Sequence, residues 1–573
     1  MKPRLLIPLF VVFALIAPGL ASAAGSVAAK KLDAAAAAFQ KESWSEALSL
    51  YRELAAENPD NGYFWSQIGT AQYNLKQYRE AIASYERAAA IGFQAGACNY
   101  NKACCLALLG EKDAAIDALQ LAIRAGLRNR EQMLREDKDL DSLRDTPEFR
   151  ARILPAVMPE TSRADAWKID LDYLTKRVEE THYAPWRNIS RDEWNAEIAR
   201  IEAAVPTMKD HEVVTALMQL VVRLGDGHST VFPPREGKYA FHQLPVRFYE
   251  FSDGIFVREA HPDYAALVGK RVVRIGRTPV QDALAKVATT VQRDNSQQVK
   301  WLAPVYMSRI ETLDALGISK GLDGADITVA DAKGKETTVR VKAVPLPAQQ
   351  HGVRVTPADW MDMAAKTDSP PLWRKDPDNI FTADYLPDSK IVYANFRAVA
   401  NWHDEKLGDF GTRVVNLAES KSARALVIDV RLNNGGNNFL GRAFFEEVLK
   451  SDFNADGKLF VICGRETFSA CQNFCNWMDR QTAAIFAGEP TGSRPNFVGE
   501  GNEIWLPYSG IAVNASSRLW QDSVSEDVRT WIAPELAAAM SSEDYRNNRD
   551  PAFAGILEYL GTRADAATAG AKP

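Results

Sequence analysis

The chain has few of the groups that would ordinarily serve a catalytic serine near its C-terminus. Downstream of Ser469 the 573 residues contain no histidine, the last being His403, and one lysine, Lys572, in the terminal ADAATAGAKP. No G-x-S-x-G segment surrounds Ser469. An α/β-hydrolase, in which serine, acid and histidine follow in that order, is therefore excluded. A serine/lysine dyad with a downstream lysine is excluded as well, because Lys572 lies in a tail of disordered composition. With a formal charge of -6 and no basic stripe, no nucleic-acid partner is expected.

Long apolar runs are also absent beyond the first 23 residues. That segment, MKPRLLIPLFVVFALIAPGLASA, has a basic start, an apolar run broken by Pro8 and Pro18, and small residues Ala21 and Ala23. It reads as a signal peptide cleaved before Ala24, which predicts a periplasmic or secreted protein with no membrane span after its removal. Cysteine is scarce, with Cys98, Cys104 and Cys105 in one group and Cys463, Cys471 and Cys475 in another. Neither group has a histidine nearby, so zinc is disfavoured, and no metal or cofactor is expected. Disulfides are open to an exported chain, but their pairing is not legible in spacing. Cys471 and Cys475, four apart, read as packing residues on one helix face.

What the chain does have begins with a repeat. Ala47, Ala81 and Ala115 recur every 34 residues, each followed four positions later by Tyr51, Tyr85 or Leu119. This is helical-hairpin spacing, with small residues where two helices touch. It resembles the tetratricopeptide repeat, with Trp65, Gly69 and Pro59 in fitting places and the first-helix tyrosine displaced to Tyr73. An α-solenoid is predicted over about 30–130, with a protein partner as its candidate ligand.

A helical segment follows over about 165–235, ending in LGDGHSTVF. Short β-prone runs alternate with turns over 240–345, in an order that resembles a diverged PDZ-like module. From about 385 to 560, strands such as ALVIDV and KLFVIC alternate with helical stretches. That alternation predicts a largely parallel sheet with its site at the strand ends. Residues 561–573 read as a disordered tail. The predicted fold class is multidomain, α and α/β.

In GRETFSACQNF, Ser469 lies between a buried strand and a helix start. Ser469 with Gln472 has the pattern of a capping box, which would make the hydroxyl a structural cap. The same position puts a nucleophile beside free backbone N–H groups and the positive end of a helix. His228, in the tight D-G-H loop, is the candidate base, and His403 its competitor.

The ordered set LGDGHSTV, ALVIDVRLNNGG, GRETFSACQNF, AGEPTG and WIAPEL, from about Ala166 to Asn548, resembles the C-terminal processing (tail-specific) serine peptidase superfamily. In the lysine-dyad branch the base closes a G-E-x-T-x-x-K segment; here GEPTGSR puts Arg494 in that place, and arginine stays protonated. The chain is thus more similar to the tricorn-core-like branch, which uses the histidine of an upstream D-G-H. The resemblance implies His228 as base, Ser469 as nucleophile, and the N–H groups of Gly436 and Ala470 as oxyanion donors. It also implies a carboxylate downstream, for which Glu526 and Asp527 both stand, while Asp527 with Arg529 would serve equally as a surface ion pair. The expected activity is endopeptidase hydrolysis of proteins or peptides. The alternatives are an inactive peptide-binding scaffold and a hydrolase of non-peptide esters.

Overall fold

A computed structural model describes residues 27–127, 130–155, 157–347, 357 and 359–569. The signal-peptide segment lies outside the described residues. The chain forms two compact units, one of residues 1–176 with 502–510 and one of residues 177–501 with 511–573. It is a multidomain α and α/β protein.

In the first unit six helices, Val27–Gln40, Trp44–Glu57, Gly62–Asn74, Tyr78–Ala90, Ala95–Leu108 and Lys112–Arg124, stack as antiparallel neighbours. The repeat alanines Ala47, Ala81 and Ala115 are fully buried, as are Tyr51 and Leu119. Small residues are required because the helices close on one another. A Cβ on Gly69 would lie 2.8 Å from the Tyr85 ring. The Trp65 indole N–H donates to the Pro59 carbonyl at 2.8 Å, tying one repeat's end to the next helix.

The second unit contains a six-stranded sheet in the order Phe381–Leu386, Ile391–Phe396, Ala425–Asp429, Leu459–Cys463, Ile485–Gly488, Leu536–Ala537. The first pair is antiparallel and the rest parallel. The strands Ile391–Phe396, Ala425–Asp429 and Leu459–Cys463 are buried at every position. Continuous apolar runs are what a parallel sheet covered on both faces demands. One face packs on Leu407–Ser420, Asn438–Lys450 and Ala470–Gln481, through Phe410, Phe444 and Phe474; the other packs on Ala552 and Ile556 of the last helix. A separate antiparallel sheet spans Val246–Phe251 to Met361–Asp362 and forms the β-rich module.

The last helix, Pro551–Ala569, runs well into the segment whose composition suggested a disordered tail. Alanine has the highest helix propensity, and Ala564 to Ala569 continue a helix already anchored by its buried first turns. All six cysteines are free and buried. Among the described residues, no helix is long and apolar enough to cross a membrane.

Candidate active site

Ser469 leaves the carboxyl end of strand Leu459–Cys463 through the turn Gly464–Phe468 and stands at the N-cap of helix Ala470–Gln481. Its backbone is at φ 56°, ψ -125°, a conformation that L-residues avoid and that costs of order 1–3 kcal/mol. Contacts on all sides hold it there. Thr467 Oγ1 donates to the Val430 carbonyl at 2.9 Å, the Phe468 N–H to the Asn433 carbonyl at 3.1 Å, and the Ser469 N–H to Ser493 Oγ at 3.2 Å.

The hydroxyl makes no capping bond, and the Gln472 amide donates instead to Asn476 at 3.0 Å, so the capping box suggested by the sequence does not form. The Ser469 Oγ lies 2.9 Å from His228 Nε2. The structure therefore brings together the two residues that the sequence sets 241 positions apart.

The His228 loop is built around a buried carboxylate. Asp226 Oδ1 accepts the N–H groups of His228 at 2.9 Å and Ser229 at 2.7 Å and the Ser516 hydroxyl at 2.6 Å, while Oδ2 meets His182 Nε2 at 2.9 Å. Burial pushes this carboxyl upward, but His182, Ser516 and Ser229 together hold it down at about 2. It is a fixed anion. The neighbouring Gly227 N–H donates to Asp294 Oδ1 at 2.8 Å. A Cβ on Gly227 would strike Gln298, Phe468 and Asp294 within 2.9 Å, so the D-G-H loop needs its glycine.

The imidazole stacks between Phe468, with centroids 4.5 Å apart, and Phe497, at 5.5 Å. Burial between the rings lowers its pKa below 6.5, and the charges of Asp226 and Glu500 oppose that shift. The neutral, proton-accepting form thus prevails at neutral pH. The second nitrogen, Nδ1, faces the Val498 carbonyl without closing a well-formed hydrogen bond.

Neither Glu526 nor Asp527 is brought to this ring. Residues 522–530 form a turn, not a strand: the Asp527 N–H donates to the Val524 carbonyl at 3.0 Å. The Asp527 carboxylate binds Arg529 Nη2 at 2.8 Å and Ser523 Oγ at 2.6 Å, and Arg529 holds it down at about 2. This is the ion pair alternative. The Glu526 side chain is in solvent. The carboxylates that act on His228 through their charge are Asp226 and Glu500.

The glycine pair divides its tasks. Gly435, at φ 106°, donates its N–H to Asn433 Oδ1 at 3.0 Å and gives its carbonyl to the Val399 N–H at 2.8 Å. Gly436, at φ 139°, pairs beside Val399 as in a parallel ladder, which turns its own N–H away from that strand. Ala470 is the first residue of its helix, so its N–H has no intrahelical acceptor. Among the described residues neither N–H has a hydrogen-bond partner. Both remain open to an anionic oxygen.

Arg494 uses Nε to donate to the Asp294 carbonyl at 2.8 Å. His403 packs edge-on against the Trp402 ring, with centroids 4.7 Å apart. Asn433, Ser493, Phe468 and Phe497 went unremarked in sequence, and only Asn433 carries a local signal, its place beside the glycine pair. Two groups among the described residues have metal-ligand geometry, Cys104–Asp137–Asp139 and His211–Glu212–Asp314. Neither contains a residue of the Ser469 site.

No protein-family model matches the chain, and no curated protein matches it. Solved structures do. The chain is similar to mature CPAF complexed with lactacystin at 14% identity and a TM-score of 0.48, over 70% of this chain and 97% of that one. It is similar to the photosystem II D1 C-terminal processing protease at 11% identity and a TM-score of 0.34, over 70% and 98%. It is also similar to the tricorn protease at 14% identity and a TM-score of 0.34, over 70% and 37%.

Proposed function

We propose that the protein is an exported serine peptidase that hydrolyses protein or peptide substrates through an acyl-enzyme on Ser469. Export rests on the leader-like first 23 residues. In the first half-reaction Ser469 Oγ adds to the peptide carbonyl as His228 Nε2 takes the hydroxyl proton. The displaced carbonyl electron pair settles on oxygen, facing the N–H groups of Gly436 and Ala470. As the tetrahedral species collapses, the C–N bond breaks and the imidazolium gives its proton to the departing amine. Water then repeats the sequence in reverse: it yields a proton to Nε2, adds to the acyl carbon, and Ser469 leaves with the proton returned.

The observation that carries this reading is the 2.9 Å approach of His228 Nε2 to a serine hydroxyl free of any capping role. Arg494, which stays protonated, has no part in proton transfer. Asp226 and Glu500 offset the positive charge that forms on the ring.

A fluorophosphonate probe tests the reading. Stoichiometric labelling of Ser469, abolished in Ser469→Ala and slowed about 10²-fold or more in His228→Gln, is expected. An unlabelled wild-type protein would leave a peptide-binding scaffold instead. Release of new amino termini from a denatured protein substrate separates peptidase from ester hydrolase.

A further inference from the structure

A second histidine lies behind the base, and the chemistry above does not use it. His182 follows directly on the helix Arg163–Thr181, 44 positions before Asp226, and both side chains are buried. The Ala184 N–H donates to His182 Nδ1 at 3.1 Å, so that nitrogen is an acceptor and the ring proton stands on Nε2. Nε2 lies 2.9 Å from Asp226 Oδ2 and donates to it. The backbone thus fixes the tautomer that aims an N–H at the carboxylate. The same segment is tied from a third side: the Tyr183 N–H donates to the Ser516 carbonyl at 2.8 Å, and the Ser516 hydroxyl donates to Asp226 Oδ1 at 2.6 Å.

Asp226 shares the D-G-H loop with a second buried carboxyl. Asp226 Oδ1 accepts the N–H groups of His228 and Ser229, and Asp294 Oδ1 accepts that of Gly227. Two neighbouring buried carboxyls do not both ionise readily. The structure divides them. Burial pushes Asp226 upward, but the bonds from His182 and Ser516 bring it down to about 2. Burial and the charge of Asp226 raise Asp294 to about 7. The difference in their bonding is at Oδ2, which in Asp226 takes the His182 N–H and in Asp294 closes no hydrogen bond.

This division reaches the base. Asp226 does not touch the His228 ring, yet against the burial that lowers the imidazole pKa its charge is the largest opposing force, with that of Glu500 a smaller one. We infer that His182 is a positioning residue for the proton transfer: its Nε2–H fixes the anion at Asp226, and with it both the backbone of the D-G-H loop and the charge that steadies the His228 imidazolium. His182 acts only through Asp226 and meets no substrate.

The inference rests on His228 as the base of the proposed reaction, so its test reads the imidazole itself as well as turnover. Full-length protein is isotope-labelled at histidine Cε1 and followed by NMR; of its seven histidines, His228→Gln identifies the resonance sought. In the wild type that resonance is expected to titrate below 6.5. In His182→Leu, which has no donor, and in Asp226→Asn, which has no charge, the midpoint should fall by about 1 pH unit. The acid limb of kcat/KM should move with it, and kcat should drop about 10-fold with KM unchanged. His182→Gln, whose amide can donate to Oδ2, should keep the wild-type midpoint and most of kcat. A histidine needed for folding alone would lower the yield of folded protein without moving the midpoint. An unmoved midpoint in His182→Leu or Asp226→Asn, or an equal shift in His182→Gln and His182→Leu, would overturn the inference. Should His182→Leu fail to fold, the nearly isosteric Asp226→Asn and the donor-keeping His182→Gln decide by the same criteria: a fallen midpoint in the first with a wild-type one in the second supports it, and any other pair overturns it. Midpoints that move as expected in a protein whose Ser469 resists fluorophosphonate would sink the peptidase reading alone.

Discussion

Gly435 lies so close to Ser469 that a Cβ on the glycine would stand 2.8 Å from the serine Cβ and 2.9 Å from the Ala470 nitrogen. The loop of Gly435 and Gly436 and the turn that carries Ser469 are thus built against each other. Gly435→Ala must push Ser469 out of its strained position or open the loop. A fall in kcat of about 10²-fold or more is expected, with little loss of the folded state by circular dichroism. Wild-type kcat in this variant would mean that the two loops move freely.

The proposed pair His228 and Ser469 should act as a unit. Ser469→Ala and His228→Gln are each expected to lower kcat by about 10³-fold or more, and the double variant should be hardly worse than either single one. Multiplicative losses in steady-state kinetics would argue that the two residues work separately.

Burial holds the His228 pKa below 6.5, and the base must be neutral to accept a proton. Activity is therefore expected to persist as pH falls through 6.5 and to fail only below it. Because the Glu500 charge raises this pKa, Glu500→Gln should move the acid limb of kcat/KM to still lower pH. Glu526→Gln and Asp527→Asn should leave that limb in place. A limb shifted by either of the last two, read from a pH profile, would restore the downstream carboxylate.

Asp294 carries an opposite pH signature. Its folded pKa of about 7 lies above the ordinary value of 3.8, so the folded state holds a proton that the unfolded state has lost. Stability from this group is present at low pH and is lost as pH rises from about 4 through 7. Asp294→Asn keeps the acceptor for Gly227 and removes the titration. Relative to wild type, the variant should gain of order 4 kcal/mol between pH 4 and pH 8 in thermal melts. A constant difference across that range would contradict the buried, proton-holding carboxyl.

In the solenoid, Gly69→Ala places a methyl against the Tyr85 ring, where 2.8 Å is available. A stability loss of about 1–3 kcal/mol is expected in urea unfolding.

Some of this protein is determined along the chain. The recurrence of Ala47, Ala81 and Ala115 encodes packed helical hairpins, because small residues at a fixed period permit only one kind of close contact. Apolar runs ending in RLNNGG and GRETFS encode buried parallel strands whose carboxyl ends carry polar loops, because a strand covered on both faces tolerates no polar alternation. What the chain could not determine was how its loops meet. The Ser469–Gln472 spacing suits a cap as well as a nucleophile, and the hydroxyl's direction depends on φ 56° imposed by Asn433, Thr467 and Ser493 from three different segments. The same holds for the carboxylates. Asp527 has Arg529 two residues away and pairs locally, and Asp226 sits two residues before His228 and takes its N–H, whereas Glu500 reaches His228 only because Phe497 to Glu500 folds over the imidazole. Side-chain periodicity is a local property and is written in sequence; charge and hydroxyl direction are set by neighbours distant in the chain, and only the tertiary structure assembles them.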